Sequence, residues 1–142
     1  MQQMLNNFHF TVEWGGNRIG FTEVSGLDIE VEVIAYREGG DRTGGFQKLP
    51  GLKKYSDITL KRGIVKDDYD FYTWINSANF EDVERRDVTI SLLNNQHQPV
   101  FIWKVKNAFP TKYCGPVLNA SNSDVAIETL VLTHEGIEVV QL

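Results

Sequence analysis

The chain has 142 residues, with 14 basic and 19 acidic side chains and a formal net charge of −5. This balance argues against a surface built to grip nucleic-acid phosphates. Cys114 is the single cysteine, which excludes an internal disulfide framework and fits synthesis in a reducing compartment. The start lacks a signal-peptide pattern, and no apolar run approaches the ~20 residues of a membrane helix. We therefore expect one soluble domain over residues 1–142, made in a cytoplasm.

The first third of the chain alternates apolar and polar residues, as strands with one buried face do. The first set of alternating apolar residues is Phe8, Phe10, Val12 and Trp14. A turn at residues 15–17 predicts a hairpin whose second arm covers residues 19–24, and Ser25-Gly26 predicts a bulge or corner. From residue 28 the alternation resumes, either as a third strand or as a continuation of the second. Its apolar side contains Ile29, Val31, Val33 and Ala35.

Residues 36–55 break this pattern. They contain five glycines, Pro50 and seven charged residues, a composition that predicts neither helix nor strand. Loops of this length inside compact domains usually bind something or remain disordered until they do. We therefore expect a long excursion from the β-framework that carries the function, with Phe46, Leu49, Pro50 and Leu52 as apolar anchors.

The next segments predict a short strand over residues 57–62, ended by Gly63, and then one helix. Asp67 and Asp68 are expected to cap the helix, and Asp70 favours its dipole. One apolar face is predicted, which should lie over an opening or edge of the β-framework. That face comprises Phe71, Trp74, Ile75 and Ala78.

The remaining chain predicts a hairpin over residues 88–93 and 100–106, then an irregular passage over residues 107–124. Residues 125–134 predict a strand with both faces covered, because apolar residues occur at odd and at even positions. Residues 137–140 predict a last strand after Gly136. About seven or eight strands with one short helix predict an all-β fold, a sandwich or barrel of two antiparallel sheets.

The sequence offers no convincing catalytic or metal site, so we expect no cofactor and no enzymatic activity. The three histidines, His9, His97 and His134, lack metal-ligand spacing. Cys114 lies in YCGP without a following helix that would lower its thiol pKa. Helix capping accounts for the aspartates near residue 68. The glycines of residues 36–55 match no phosphate-binding loop and precede a strand.

Glu128 is harder to assign to the surface, because the strand around it reads as covered. A covered carboxylate needs a basic partner or backbone donors. One prediction is that the partner comes from a neighbouring subunit, in which case Glu128 would fix subunit register.

Several runs in a fixed order resemble the inner-tube proteins of contractile phage tails and related contractile injection systems. The resemblance extends over nearly the whole chain, and the type VI secretion tube protein is a more distant cousin. The matching segments are residues 20–40, 48–63, Trp74, 85–94 (RRDVTISLLN), 103–112 (WKVKNAFPTK) and 126–136 (AIETLVLTHEG).

The resemblance implies a structural subunit that forms sixfold rings stacked into a hollow tube inside a contractile sheath. Its implied partners are copies of itself, the sheath protein, baseplate or initiator and terminator proteins, and DNA or protein cargo in the lumen. Synthesis in a bacterial cytoplasm and assembly into a virion tail or a releasable particle follow from the same resemblance. The type of particle, and main tube versus initiator or terminal subunit, stay open. The predicted contacts between rings or subunits are Arg37, Glu38, Phe46, Leu49, Pro50, Leu52, Lys53, Tyr55 and Glu128.

The competing hypothesis is a monomeric β-sandwich that binds a sugar or peptide on an aromatic platform. It predicts exposed tryptophans at Trp14, Trp74 and Trp103, whereas a tube subunit should bury them in its core or between subunits.

Overall fold

The computed structural model describes residues 4–16, 20–40 and 44–141. Seven strands of these segments form one antiparallel sheet in the order β1-β6-β7-β8-β5-β2, with β9 beside β7, while β3 and β4 form a separate pair. The predicted all-β class with one helix is confirmed. The elements are β1 (Phe10–Glu13), β2 (Phe21–Ser25), β3 (Ile29–Tyr36), β4 (Gln47–Tyr55), β5 (Ile58–Gly63), α1 (Asp70–Ser77), β6 (Arg86–Leu93), β7 (Pro99–Cys114), β8 (Ile127–Thr133) and β9 (Gly136–Val140).

Strand β7 belongs to two layers. Its first half pairs with β6 and β9, and its second half pairs with β8. Asn107 has a positive φ of 52° at the bend between the halves, and the register shifts again beside Pro110. Bending β7 folds the sheet into a sandwich of β1, β6, β7 and β9 against β2, β5, β8 and β7. The prediction of an irregular passage over residues 107–124 is therefore wrong for residues 107–114, because proline is tolerated at a bulge.

The core lies between the two layers. Ile58, Leu60, Leu130 and Leu132 are fully buried, and they alternate with half-buried residues along β5 and β8. Burying each such side chain contributes roughly 1.5–3 kcal/mol. The prediction that both faces of the strand at residues 125–134 are covered is wrong, since only one face of β8 is buried. Apolar residues at both odd and even positions of this strand therefore did not mean that both of its faces are buried.

Helix α1 closes one end of the sandwich. Phe71 and Trp74 are buried, and the Phe71 ring lies 4.9 Å from that of Trp14, which follows β1. The predicted apolar face is confirmed, but the predicted capping is not. The residue before the helix, Tyr69, makes no side-chain cap hydrogen bond, although Asp68 accepts a hydrogen bond from the Asp70 amide at 3.2 Å. Asp68 is instead held by an arginine of β5.

The hairpin predicted for residues 8–24 does not form. β1 pairs with β6 and β2 with β5, so the two strands lie at opposite ends of the sheet order. A period-two pattern specifies which face is buried and leaves the partner strand open. Asn17 and Ile19, which belonged to that prediction, lie outside the described residues. The predicted pairing of the strands at residues 88–93 and 100–106 is confirmed by β6 and β7.

Gly26 makes the corner at which the chain leaves the sandwich. Its φ is +90°, and a Cβ at this position would clash with the Asp57 carbonyl. Both constraints favour glycine. β3 therefore begins a separate two-stranded sheet and does not continue β2, which resolves the alternative that the alternation left open.

Candidate interaction surface

The β3–β4 hairpin exposes apolar side chains along its length. All eight β3 residues and seven of the nine β4 residues are exposed. Soluble monomers rarely leave a contiguous apolar surface of this kind uncovered. The hairpin is therefore the first candidate for a contact with another molecule. Its exposed large apolar residues, with Phe46 just before β4, are Ile29, Val31, Val33, Ile34, Tyr36, Phe46, Leu49 and Leu52.

The prediction that residues 36–55 form no strand is wrong for Tyr36, which ends β3, and for residues 47–55. β4 pairs with β3 from Ile29↔Tyr55 to Tyr36↔Gln47. The register shifts between Val31 and Val33, so β4 contains one extra residue there. Proline and glycine fit such a site, because a bulge leaves one residue unpaired and β4 is an edge strand. Only the tip, residues 37–46, stays irregular, and residues 41–43 of it lie outside the described residues.

The hairpin is fixed at its root. The Tyr55 ring lies 5.7 Å from that of His134, and the Ser56 carbonyl lies 2.8 Å from His134 Nε2. Thr133 donates a hydrogen bond to Asp57 at 3.1 Å. These contacts attach the end of β4 to the end of β8. The hairpin therefore leaves the sandwich in a defined direction.

Eight of the nine predicted contact residues lie on this hairpin. Arg37 and Phe46 meet across the tip, with the guanidinium 5.9 Å from the ring centroid. Lys53 is exposed on β4, and Tyr55 is half-buried at the root. The remaining members of the group, Glu38, Leu49, Pro50 and Leu52, are exposed. Whether these residues contact other subunits stays a prediction.

Glu128 lies elsewhere, inside the sandwich. Its carboxylate accepts hydrogen bonds from Arg62 Nε at 2.8 Å and from the Tyr113 hydroxyl at 2.8 Å. Arg62 is 1% exposed, and it also contacts both Asp68 carboxylate oxygens at 3.2 Å. The expected basic partner thus exists, but it comes from the same chain. The argument that assigned Glu128 to a subunit contact is removed, because no neighbour is needed to neutralise it.

This network also changes the acidity of Tyr113. Burial, the hydrogen bond to the Glu128 carboxylate and the negative charge of that carboxylate together raise the pKa of its hydroxyl from 10.0 to about 12. Burial disfavours the phenolate by desolvation, the hydrogen bond stabilises the protonated hydroxyl, and the carboxylate repels the phenolate charge. Arg62 opposes them. Tyr113 therefore stays protonated and donates to Glu128 through the physiological pH range.

A second concave feature, the β2 cavity, lies between β2 and the layer of β1, β6 and β7. Its volume is ≈ 370 Å³. Asn7, Thr22 and Glu23 supply its polar part. Six apolar side chains form the rest of its wall: Phe10, Val24, Leu27, Ile90, Leu92 and Trp103.

The other candidate residues do not assemble a reaction centre in the described ranges. His9 and His97 do come together, with ring centroids 5.2 Å apart, but no third His, Cys, Asp or Glu of the described chain joins them to hold a metal ion. Cys114 is a free, half-buried thiol. The described chain also contains no helix of the length and apolarity that crossing a membrane requires.

The aromatic platform of the competing hypothesis is wrong for two of its three tryptophans. Trp14 and Trp74 are buried, and Trp74 donates its indole N–H to the Glu84 carbonyl at 2.9 Å. Trp103 is half-buried in the wall of the β2 cavity.

Sequence reasoning missed Arg62 and the β2 cavity. Arg62 had a signal: it has the parity of Ile58 and Leu60, the two core residues of β5. A charged residue at a core parity needs a buried partner. The cavity had none, because it joins strands that are distant in sequence.

Comparison with known proteins agrees with this architecture. The family model of the T4-like virus tail tube protein gp19 matches residues 6–138. A chain from the sheath-tube complex of PVC, an extracellular contractile injection system, in its extended state is 34% identical, with a TM-score of 0.88. The match covers 98% of this chain and 93% of that one. The tube terminating cap of the anti-feeding prophage is 32% identical, with a TM-score of 0.90 and coverage of 100% and 94%.

A more distant similarity concerns the fold alone. Hcp1 from Flavobacterium johnsoniae is 15% identical, with a TM-score of 0.59 over 93% of this chain and 94% of that one. A search of curated proteins gives no significant match. The family match over residues 6–138 decides the assignment: this chain belongs to the T4-like tail tube protein family, the structural tube components of contractile phage tails and contractile injection systems.

Proposed function

We propose that this subunit forms sixfold rings that stack into the hollow inner tube of a contractile particle, and that the β3–β4 hairpin joins the subunits. The observation that supports the proposal is the exposed apolar surface of the hairpin, whose large apolar side chains are between 42% (Val31) and 76% (Leu52) exposed. A side chain such as Leu52 contributes little to the fold of its own chain. Covering it against another subunit would supply roughly 25 cal/mol for each Å² removed from water.

The sheet edges support the same assembly. Within the described fold β1, β2 and β9 each pair with a neighbour on one side only. Such an edge presents unpaired N–H and C=O groups to other chains and is an aggregation hazard unless it is used. In a closed ring, edges of adjacent subunits pair with each other. Successive rings along the axis then give an open filament.

The proposed role is a passive conduit that performs no chemistry and is driven out when the sheath contracts. Membership of a family of structural components supports this role. The relatives come from a sheath-tube complex, a sheath/tube terminator and a baseplate, which supports sheath, terminator and baseplate proteins as partners. The subunit is made in a bacterial cytoplasm and assembled into a virion tail or a releasable particle. DNA and effector proteins are alternative cargoes, and a net charge of −5 suits either passing without sticking.

Electron microscopy in negative stain, beside the mass in solution, tests the proposal. We expect rings or tubes from the wild type and monomers from a Leu49→Asp/Leu52→Asp variant, with an unchanged circular dichroism spectrum. The matched control is Val117→Asp/Leu118→Asp, because those two aliphatic residues are also exposed, at 92% and 86%, but lie outside the hairpin. Normal tubes from the hairpin variant would show that the hairpin does not join subunits. A wild type that stays monomeric with baseplate components present would contradict the tube proposal.

A further inference from the structure

Two histidines from distant parts of the chain meet beside the turn between β6 and β7. His9 immediately precedes β1, and His97 lies in the turn itself. Their ring centroids are 5.2 Å apart, with an angle of 79° between the ring planes. His9 is half-buried and His97 is exposed, so dissolved ions can reach the pair. The proposed tube function uses neither residue.

The backbone holds both histidines in place. The His9 carbonyl accepts a hydrogen bond from the Leu93 amide at 2.8 Å, which ties the start of β1 to the end of β6. Across the turn, the Asn94 side chain accepts a hydrogen bond from the Gln98 amide at 3.0 Å. His97 has a positive φ of 58°. Asparagine and glycine also adopt that conformation, so the turn by itself does not require an imidazole.

The two imidazoles have polar atoms to offer a ligand. Within the described ranges, neither ring forms a hydrogen bond or an ion pair with another protein group. The Phe8 ring packs against His9, with centroids 4.4 Å apart. The third histidine differs, because His134 Nε2 lies 2.8 Å from the Ser56 carbonyl and is engaged at the root of the hairpin. The pair at the turn is thus available for coordination.

The spacing of the two rings suits one transition-metal ion. Histidine nitrogens bind Zn²⁺ at about 2.0–2.1 Å, so two imidazoles on one tetrahedral ion have centroids roughly 5 Å apart. The observed 5.2 Å matches this separation. The χ2 torsion of histidine is broad, which allows a nitrogen of each ring to point into the space between them. No third His, Cys, Asp or Glu of the described chain joins the pair, so the remaining positions of the ion are open to water.

We propose that His9 and His97 form an open two-histidine site for a divalent transition-metal ion such as Zn²⁺, Ni²⁺ or Cu²⁺. Imidazole nitrogens suit these ions, whereas Ca²⁺ and Mg²⁺ prefer oxygen ligands. The bound ion links the start of β1 to the β6–β7 turn. Because the unfolded chain does not hold the two rings together, the ion binds the folded subunit in preference and stabilises it.

Calorimetric titration of the full-length subunit with ZnCl₂, and separately with CuCl₂, tests the site. All chains contain Cys114→Ser, which removes a competing thiol ligand. We expect one ion per chain and tighter binding of Cu²⁺ than of Zn²⁺. His9→Gln and His97→Asn should each weaken binding at least about tenfold, because a single imidazole cannot chelate. Asparagine tolerates the positive φ, so the second variant keeps the turn. The matched control is His134→Gln, which removes a histidine outside the pair and should bind like the parent chain.

Two further readouts show which atoms bind and what the ion does. The electron paramagnetic resonance spectrum of the Cu²⁺ complex should show coupling to two imidazole nitrogens in the parent chain and to one in either site variant. In thermal melts, Zn²⁺ should raise the Tm of the parent chain and leave that of His97→Asn unchanged. Full binding by both site variants, or an equal loss in His134→Gln, would overturn the proposal. A parent chain that binds neither ion at about 1 mM would also overturn it and leave the ring contact as the whole role of the pair.

Discussion

Removing the Glu128 carboxylate is expected to cost about 3 kcal/mol of folding free energy. In Glu128→Ala, Arg62 Nε loses its 2.8 Å partner and the Tyr113 hydroxyl loses its acceptor. Breaking a buried ion pair typically costs about 3–5 kcal/mol, because the remaining charge is left buried. Asp68 still contacts the Arg62 guanidinium at 3.2 Å, so the lower end of that range applies. For a chain of this size the loss corresponds to a fall in Tm of about 10 °C.

Urea unfolding at a protein concentration where the subunit is monomeric measures this loss. The control is the triple variant Arg62→Met/Asp68→Asn/Glu128→Leu, which removes all three charges of the network together and should lose less stability than the single variant. Some loss will remain, because the Arg62 guanidinium lies 4.0 Å from the Phe71 ring centroid and 5.3 Å from that of Trp14. The slope of unfolding free energy against urea should not change.

Two results would refute this reasoning. If the single and triple variants lose equal stability, the buried charge that Arg62 retains in the single variant is not the cause. If Glu128→Ala unfolds like the wild type but no longer forms tubes, Glu128 acts between subunits, as its sequence context first suggested, and the intrachain pair is incidental.

Two further outcomes follow from the same contacts. The pKa of Tyr113 is about 12 in the folded chain and 10.0 in the unfolded chain. The protonated hydroxyl therefore stabilises the fold fully below pH 10, and this contribution is lost as the pH rises from 10 to 12. Between pH 10 and 12 the free energy of unfolding should fall less steeply with pH in Tyr113→Phe than in the wild type, as measured by unfolding at a series of alkaline pH values. Equal slopes for the two chains would contradict the assignment. Gly26→Ala should destabilise the subunit by at least about 2 kcal/mol, because its φ is +90° and a Cβ would meet the Asp57 carbonyl. Gly39→Ala, with open space around it, is the matched control in thermal melts, and equal melts would contradict the steric argument.

Local sequence signals predicted much of the fold because each element's burial pattern is a local property. The period-two pattern located β1, β5 and β6, and the 3.6-residue pattern located α1. Pairing could not be read in the same way. β1 and β2 lie close in sequence yet pair with β6 and β5, and nothing within either strand encodes its partner.

For the candidate site, the sequence predicted the location correctly but not the structure. Composition drew attention to residues 36–55, but it predicted a loop where β4 forms. Pro50 and Gly51 would disfavour a central strand, yet they suit a bulged edge strand that needs no second neighbour. The β2 cavity was beyond sequence reasoning, because its wall combines residues from Asn7 to Trp103 that only the folded sandwich brings together.

The bend in β7 has a mechanical consequence. Its 16 residues run through both layers of the sandwich, so the layers share one covalent backbone in addition to their packed side chains. A pull that would slide one layer past the other must stretch that strand or shear its ladders with β6 and β8. When the subunit is pushed along the tube axis, the force would thus pass through the peptide bonds of β7, and the two layers would resist separation.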